Sequence, residues 1–218
     1  MFTRDNEWEA REKIGVQCGG TREVNLATVG LVDTLETERL SLERWDERHR
    51  ERWRSICRDS EVMRFIGSGQ LWESAKADEV FDRMLAHWRE HRFGWRSVLD
   101  AVSGKWLGFV GPNMVGPGVE SVAPDEVEIG WWLLRSAWGR GYASEAASAA
   151  RDEGFERVGL DRMIARVQPA NLASSRVAEK IGMSVEREAT GRHGEALHIY
   201  CLERAGWERE FHPRSNRS

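Results

Sequence analysis

Residues 126–147 read EVEIGWWLLRSAWGRGYASEAA, and this stretch decides the fold. Its first half alternates, with Glu126, Glu128 and Gly130 on one side of an extended chain and Val127, Ile129 and Trp131 on the other, which is the period of a strand. At Trp138, Gly139, Arg140, Gly141, Tyr142 and Ala143 the pattern breaks into an alanine-rich helix. Ala143, Ala147, Ala150, Gly154 and Val158 then share one helical stripe, and side chains this small let a helix sit close to a sheet. The first amides of a helix have no intrahelical partner, and the macrodipole adds partial positive charge there. A glycine-rich break ahead of such a helix therefore suits a phosphate group; a tight turn would use the same residues. The loop lacks the third glycine of a dinucleotide fingerprint and the Gly-Lys-Ser/Thr ending of a P-loop.

Outward from this unit, strands and helices alternate. Leu40 and Leu42 alternate with Arg39, Ser41 and Glu43 as a strand, and Asp46 then caps an arginine-rich helix running to about Cys57. Val80, Phe81, Met84, Leu85 and Trp88 recur at helical spacing, which predicts a helix over 74–91. Residues 95–99 and 106–110 form a hairpin around Asp100 and Gly104. The segment 111–124, with three prolines and three glycines, reads as a loop. Downstream, 163–167 is a strand and 171–181 a short helix stopped by Gly182; 183–188 and 197–203 are strands joined by a turn at 191–194. This order predicts a mixed α/β sheet, neither a bundle nor a sandwich.

With 218 residues, a net charge of -4 and a pI near 5.9, the chain suits one domain and offers no general pull toward nucleic acid or acidic membranes. Three cysteines, Cys18, Cys57 and Cys201, are too few and too far apart for a disulfide framework or a zinc site. His49, His87, His91, His193 and His198 share no metal-ligand spacing, so no metal is expected. Arg4, Asp5, Glu7, Glu9, Arg11 and Glu12 stand where a secretory leader needs an apolar core, and no apolar run reaches the roughly 18 residues of a membrane span. A soluble, cytoplasmic protein is expected. Residues 1–33 read as an extension, 34–207 as the domain and 208–218 as a tail. Ile14, Val16, Val24, Leu26, Val29 and Leu31 are apolar enough to dock on the core or on a second subunit, which keeps a homodimer among the expectations.

EIGWWLLRSAWGRGYASEAA followed by PANLASSRVAEKIGM resembles the GNAT superfamily of acetyl-coenzyme A dependent N-acetyltransferases, above all its RimJ/RimL-type branch. TERLSLERW at 37–45, DSEVMRFIG at 59–67 and the hairpin at 94–111 resemble the same branch in the same order. The resemblance implies an α/β (α+β) fold: a mixed, mostly antiparallel twisted sheet of about seven strands with about four helices, its central strands splayed to hold coenzyme A. It also implies acetyl-CoA as cosubstrate and direct transfer to a primary amine, on a small molecule or a protein N-terminus. A catalytically silent acyl-CoA binding or sensing module is the alternative.

Carried over by motif, the amides of Gly139, Arg140, Gly141, Tyr142, Ala143 and Ser144 would cradle the pyrophosphate, with Trp138 in place of the usual Gln or Arg. Trp132, Leu133 and Leu134 would pair with the pantetheine, Asn171 would contact the cofactor, and the Leu133 amide would stabilise the developing oxyanion. Many relatives place a tyrosine seven residues after this asparagine; here it is Ala178, which leaves Ser174 as the hydroxyl for the departing thiolate. Glu128, an acid inside a central strand, is the candidate base, and a structural or substrate-orienting carboxylate is the other reading. Ser174 also suits a plain helix residue bonding its own backbone, and Asn171 an N-cap. Trp45, Trp72, Trp95 and Trp132 are candidate walls of the acceptor pocket, and residues 46–74 and 190–198 are expected to select the acceptor.

Overall fold

The computed structural model describes residues 33–116 and 122–212. The extension expected over residues 1–33 lies outside these apart from Asp33, as does Cys18. Period-two sequences form the strands β1 (Thr34–Glu36), β2 (Leu40–Arg44), β3 (Arg96–Asp100), β4 (Trp106–Met114), β5 (Val127–Leu133), β6 (Arg162–Val167), β7 (Ser184–Thr190) and β8 (Ala196–Glu203). The helices are α1 (Arg50–Cys57), α2 (Ser60–Met63), α3 (Ser74–His91), α4 (Tyr142–Glu153), α5 (Leu172–Lys180) and α6 (Arg204–Phe211). One sheet runs β1-β2-β3-β4-β5-β6-β8-β7, antiparallel throughout except between β5 and β6. The expected fold class holds, with eight strands and six helices among the described residues instead of about seven and four.

Two boundaries differ from the sequence reading. β4 continues to Met114 through residues expected to be loop. Pro112 is tolerated because pairing to β3 stops at Val110, and because Pro112 faces Ile129 between ladder bonds. Val115 N to Glu126 O and Leu134 N to Leu107 O fix that alternation. The boundary expected at Trp207 falls inside α6. Phe211 is held in place: the Arg151 guanidinium lies 3.7 Å from its ring centroid, and a Cβ on Gly182 would come within 2.6 Å of the ring.

α4, α5 and α6 cover one face of the sheet. Ala146, Ala147 and Ala150 are fully buried, and a Cβ on Gly154 would stand 2.8 Å from Met163 Cε. The small-residue stripe thus sets how closely α4 and the turn after it approach the sheet. α1 and α3 cover the other face with Trp45, Trp53, Phe81, Trp88, Trp95 and Phe109. The Trp53 and Trp88 indoles donate to Ala77 O (2.8 Å) and Trp95 O (2.7 Å), which satisfies their polar edges inside that core. Trp45 is only 2% exposed and packs on Trp53, Phe81 and Phe109, so it is core and not the pocket wall expected.

Two histidines tie the helical layer to the sheet. His87 Nδ1 donates to Phe93 O (2.9 Å) and its Nε2 accepts from Met114 N (3.2 Å), a pattern only the neutral ring can make. Burial, with the neighbouring His91 second, pulls the His87 pKa down to about 4. Burial likewise lowers that of His49, which accepts from Asp46 N. An unfolded chain takes up these protons below about pH 6.5 while the folded one resists, so stability is flat above that value and falls toward pH 4. His87 alone contributes roughly 3 kcal/mol at most to the fall. Urea midpoints from pH 7 to 4.5 should drop less steeply in His87→Gln than in wild type; parallel curves would remove His87 as a cause.

Candidate active site

β5 and β6 are parallel and share a single registered pair, Glu128 with Ile164. Beyond it the two strands part, and β5 runs on to Leu133 for about 17 Å at ~3.3 Å per residue. Alternation along β5 sorts its backbone groups. Leu134 N donates to Leu107 O, so Trp132 and Leu134 turn to β4 while Trp131 and Leu133 turn to the gap. The Leu133 carbonyl accepts from the Trp138 indole at 2.8 Å. The Leu133 amide and both backbone groups of Trp131 remain directed at the gap. Of the three residues expected to pair with a ligand, Leu133 has its amide on the gap side, whereas the Trp132 backbone and the Leu134 amide turn to β4.

Past the end of β5, Gly139 (φ 72°) and Gly141 (φ 80°) are left-handed on either side of Arg140, which is not. Such alternation turns successive N–H groups into a concavity, and L side chains rarely adopt it. No side chain caps α4, and its first backbone bond is from Glu145 N to Gly141 O. Among the described residues, none of the amides from Gly139 to Ser144 has a protein acceptor. A Cβ on Gly139 would meet no atom within 4 Å, and one on Gly141 only Arg39 Nη2 at 3.4 Å. The space beside both glycines is open, and the six amides of the loop are left unused by the protein.

A network absent from the sequence reading holds this loop. Glu145, in the first turn of α4, accepts from Thr37 Oγ1 (2.6 Å), Arg39 N (2.9 Å) and Arg39 Nε (2.7 Å). Burial would raise the Glu145 pKa, but these bonds prevail and lower it. Arg39 also donates to Arg140 O (3.0 Å) and lies over the Tyr142 ring at 4.7 Å. The β1–β2 turn thereby fixes the loop's outer rim. Glu145 is legible in the sequence as an acid in a helical first turn; Thr37 and Arg39, 108 and 106 residues away, carry no local signal.

On the α1/α3 face, Glu128 accepts from Arg166 Nη2 at 2.5 Å, both side chains being mostly buried. Arg166 lies on β6 two residues past the shared pair, so the ion pair spans the gap where the strands separate. Asn113 is the cross-strand neighbour of Glu128, and a Cβ on Gly130 would stand 3.1 Å from the Trp95 ring. Trp132 packs on Trp53, Trp72 and Trp95. Two segments far apart in sequence close this end: Gln168 donates to Gly67 O (3.0 Å), and a Cβ on Gly67 would meet the His193 ring at 3.1 Å.

On the opposite face, Ser174 Oγ accepts from the Trp131 indole at 3.3 Å, and Asn171 Oδ1 caps α5 by accepting from Ser174 N (3.1 Å). The N-cap reading of Asn171 is thus realised. Glu128 and Ser174 stand on opposite faces of the sheet.

Residues 39–184 match the family model described as an acetyltransferase (GNAT) domain. The chain belongs to the GNAT acetyltransferase family. Like its family, this GNAT protein is an acyltransferase. It is 25% identical over 78% of its length, and 95% of the other, to the uncharacterized N-acetyltransferase p20 of Bacillus licheniformis. A shorter stretch, 53% identical to YkkB of Bacillus subtilis, spans 26% of this chain and 33% of that one. The crystal structure of an acetyltransferase from Agrobacterium tumefaciens superposes with a TM-score of 0.67 at 31% identity, covering 79% and 95% of the two chains. The aminoglycoside acetyltransferase AAC(6')-Ib, solved with coenzyme A, shares the fold at 18% identity and a TM-score of 0.65, over 78% and 98% of the chains. Among the described residues of this GNAT chain no group of three or more His, Cys, Asp or Glu side chains could hold a metal ion, and no helix is long and apolar enough to cross a membrane.

Proposed function

We propose that the enzyme moves an acetyl group from acetyl-CoA directly to a primary amine, with no covalent enzyme intermediate. The observation that carries this reading is the juxtaposition of six partnerless amides, Gly139 to Ser144, with a strand gap that begins at Glu128. Those amides suit a pyrophosphate, and the gap-facing backbone of Trp131 and Leu133 suits the amide-bearing pantetheine arm. Acetyl-CoA supplies an activated thioester acyl group. The Leu133 N–H is the donor for the developing oxyanion. Glu128 draws the acceptor ammonium and takes its proton, a smaller task for an α-amine (pKa about 7.7–8.0) than for a lysine (about 10.4). Ser174, its hydroxyl oriented by the Trp131 indole, is the donor for the leaving sulfur, since Ala178 offers none. TERLSLERW and DSEVMRFIG favour the RimJ/RimL-type branch, and the crystallised aminoglycoside acetyltransferase supports an amine acceptor.

The test is thiol release from acetyl-CoA against a panel of polyamines, aminoglycosides, amino acids and peptides with free N-termini. Turnover on at least one amine, with product mass raised by one acetyl group, is the expected result. Tight coenzyme A binding with no turnover on any amine would overturn transfer and leave an acyl-CoA binding module.

A further inference from the structure

The Glu128–Arg166 pair is incompletely used by the protein. Glu128 takes one donor of the Arg166 guanidinium, which has five. Arg166 Nε is buried with no hydrogen-bond partner among the described residues. An orphaned buried N–H is costly, and its place matters here, because the pair sits where β5 and β6 separate.

Arg166 weakens the pull that Glu128 exerts on a simple ammonium, because the guanidinium repels it, and the charge of Glu195, which also reaches Arg166, offsets only part of that repulsion. A molecule carrying both charges meets no such conflict. Its ammonium can take the free side of Glu128 while its carboxylate takes the remaining donors of Arg166, the planar fork being well matched to a carboxylate. The two protein groups are in direct contact at 2.5 Å, so the two ligand charges must also be neighbours. Trp95 closes over Gly130, and Gly67 abuts His193 at the far side, which favours a small acceptor over a long one.

We propose that the acceptor is a free α-amino acid, bound head to tail on Glu128 and Arg166, and that Arg166 is its specificity residue. This rests on the acetyl-transfer reading above. The step itself is ordinary amide formation: the ammonium gives one proton to Glu128, the neutral amine attacks the thioester carbonyl to form the C–N bond, the C–S bond breaks, and coenzyme A leaves as the thiol, taking up the nitrogen's second proton.

The experiment compares each amino acid with its decarboxylated amine and its carboxamide, for example L-phenylalanine, phenethylamine and phenylalaninamide, with the leucine and methionine series alongside. Wild type should prefer the amino acid by roughly 100-fold in kcat/KM, mainly through KM. Arg166→Met should collapse that ratio to within about threefold, and Arg166→Lys, which keeps the charge and loses the fork, should restore only part of it. Coenzyme A affinity, measured on the same samples, reports whether the variants are folded. The wild-type panel decides the matter even if they are not. Equal use of amine, amide and amino acid would overturn the proposal, as would turnover confined to polyamines, aminoglycosides or peptides; in both cases acetyl transfer itself stands. Silence toward every amine would remove both.

Discussion

Gly141→Asp loses coenzyme A binding by at least 100-fold while melting within a few degrees of wild type. Gly141 is the N-cap residue of α4, exposed, with φ 80°. Aspartate is among the few L residues that enter the left-handed region with modest cost, and a Cβ there meets only the end of Arg39 at 3.4 Å. The fold should therefore survive. The new carboxylate stands at the start of α4, beside the loop amides and the end of Arg39, where it gains from the helix dipole. It would occupy the groups proposed for the pyrophosphate and repel that anion besides. Gly141→Asn separates the two effects, because it has similar backbone tolerance and no charge; its loss should be about tenfold smaller. Calorimetry with coenzyme A checks both variants. An unchanged affinity in Gly141→Asp would mean that the six amides of the loop are not the phosphate cradle.

Gly141 also marks how far sequence reading reaches. The Gly-Arg-Gly break, the alanine stripe and the alternation in β5 are local patterns with local physical causes, so helix, strand and loop are all legible in the residues themselves. Asn171 as a cap is equally legible, because the acceptor and the amide it serves are three residues apart. The partners that complete the site are not local. Arg166 lies 38 residues from Glu128 and Arg39 lies 106 from Glu145, and only the sheet order brings them together. The same limit explains the partly wrong assignments. Trp45 reads as available because a tryptophan after a strand suits a pocket wall as well as a core, and α1 and α3 decide between them. Trp132 and Leu134 read as ligand-facing because a strand's sequence does not say which neighbour its amides face; the Leu134-to-Leu107 bond does. Prolines and glycines in 111–124 hide the end of β4 because proline's cost in a strand depends on which side lacks a partner.

Glu128→Gln is expected to lower kcat/KM by about 100-fold near pH 6.5 and by no more than about tenfold near pH 9. The shape of this loss carries more than its size. The α-ammonium of a peptide or an amino-acid amide, with a pKa of about 7.7–8.0, is mostly protonated at the lower pH and mostly neutral at the higher. A residue that removes that proton is needed most when the proton is present, so its loss is increasingly rescued as the solution takes over the task. A residue that only holds the amine in place is needed equally at every pH. Glutamine preserves the size of Glu128 and can still accept from Arg166, which keeps the gap between β5 and β6 close to its wild-type form. Coenzyme A affinity should stay within about twofold, since the loop from Gly139 to Ser144 lies beyond the other end of β5. Steady-state profiles from pH 6 to 9.5, on a peptide or amino-acid amide from the panel whose amine titrates inside that range, distinguish the two roles. A loss of constant size across that range would assign Glu128 to positioning and pass the proton to solvent, whereas a loss that shrinks as the ammonium gives up its proton makes it the base.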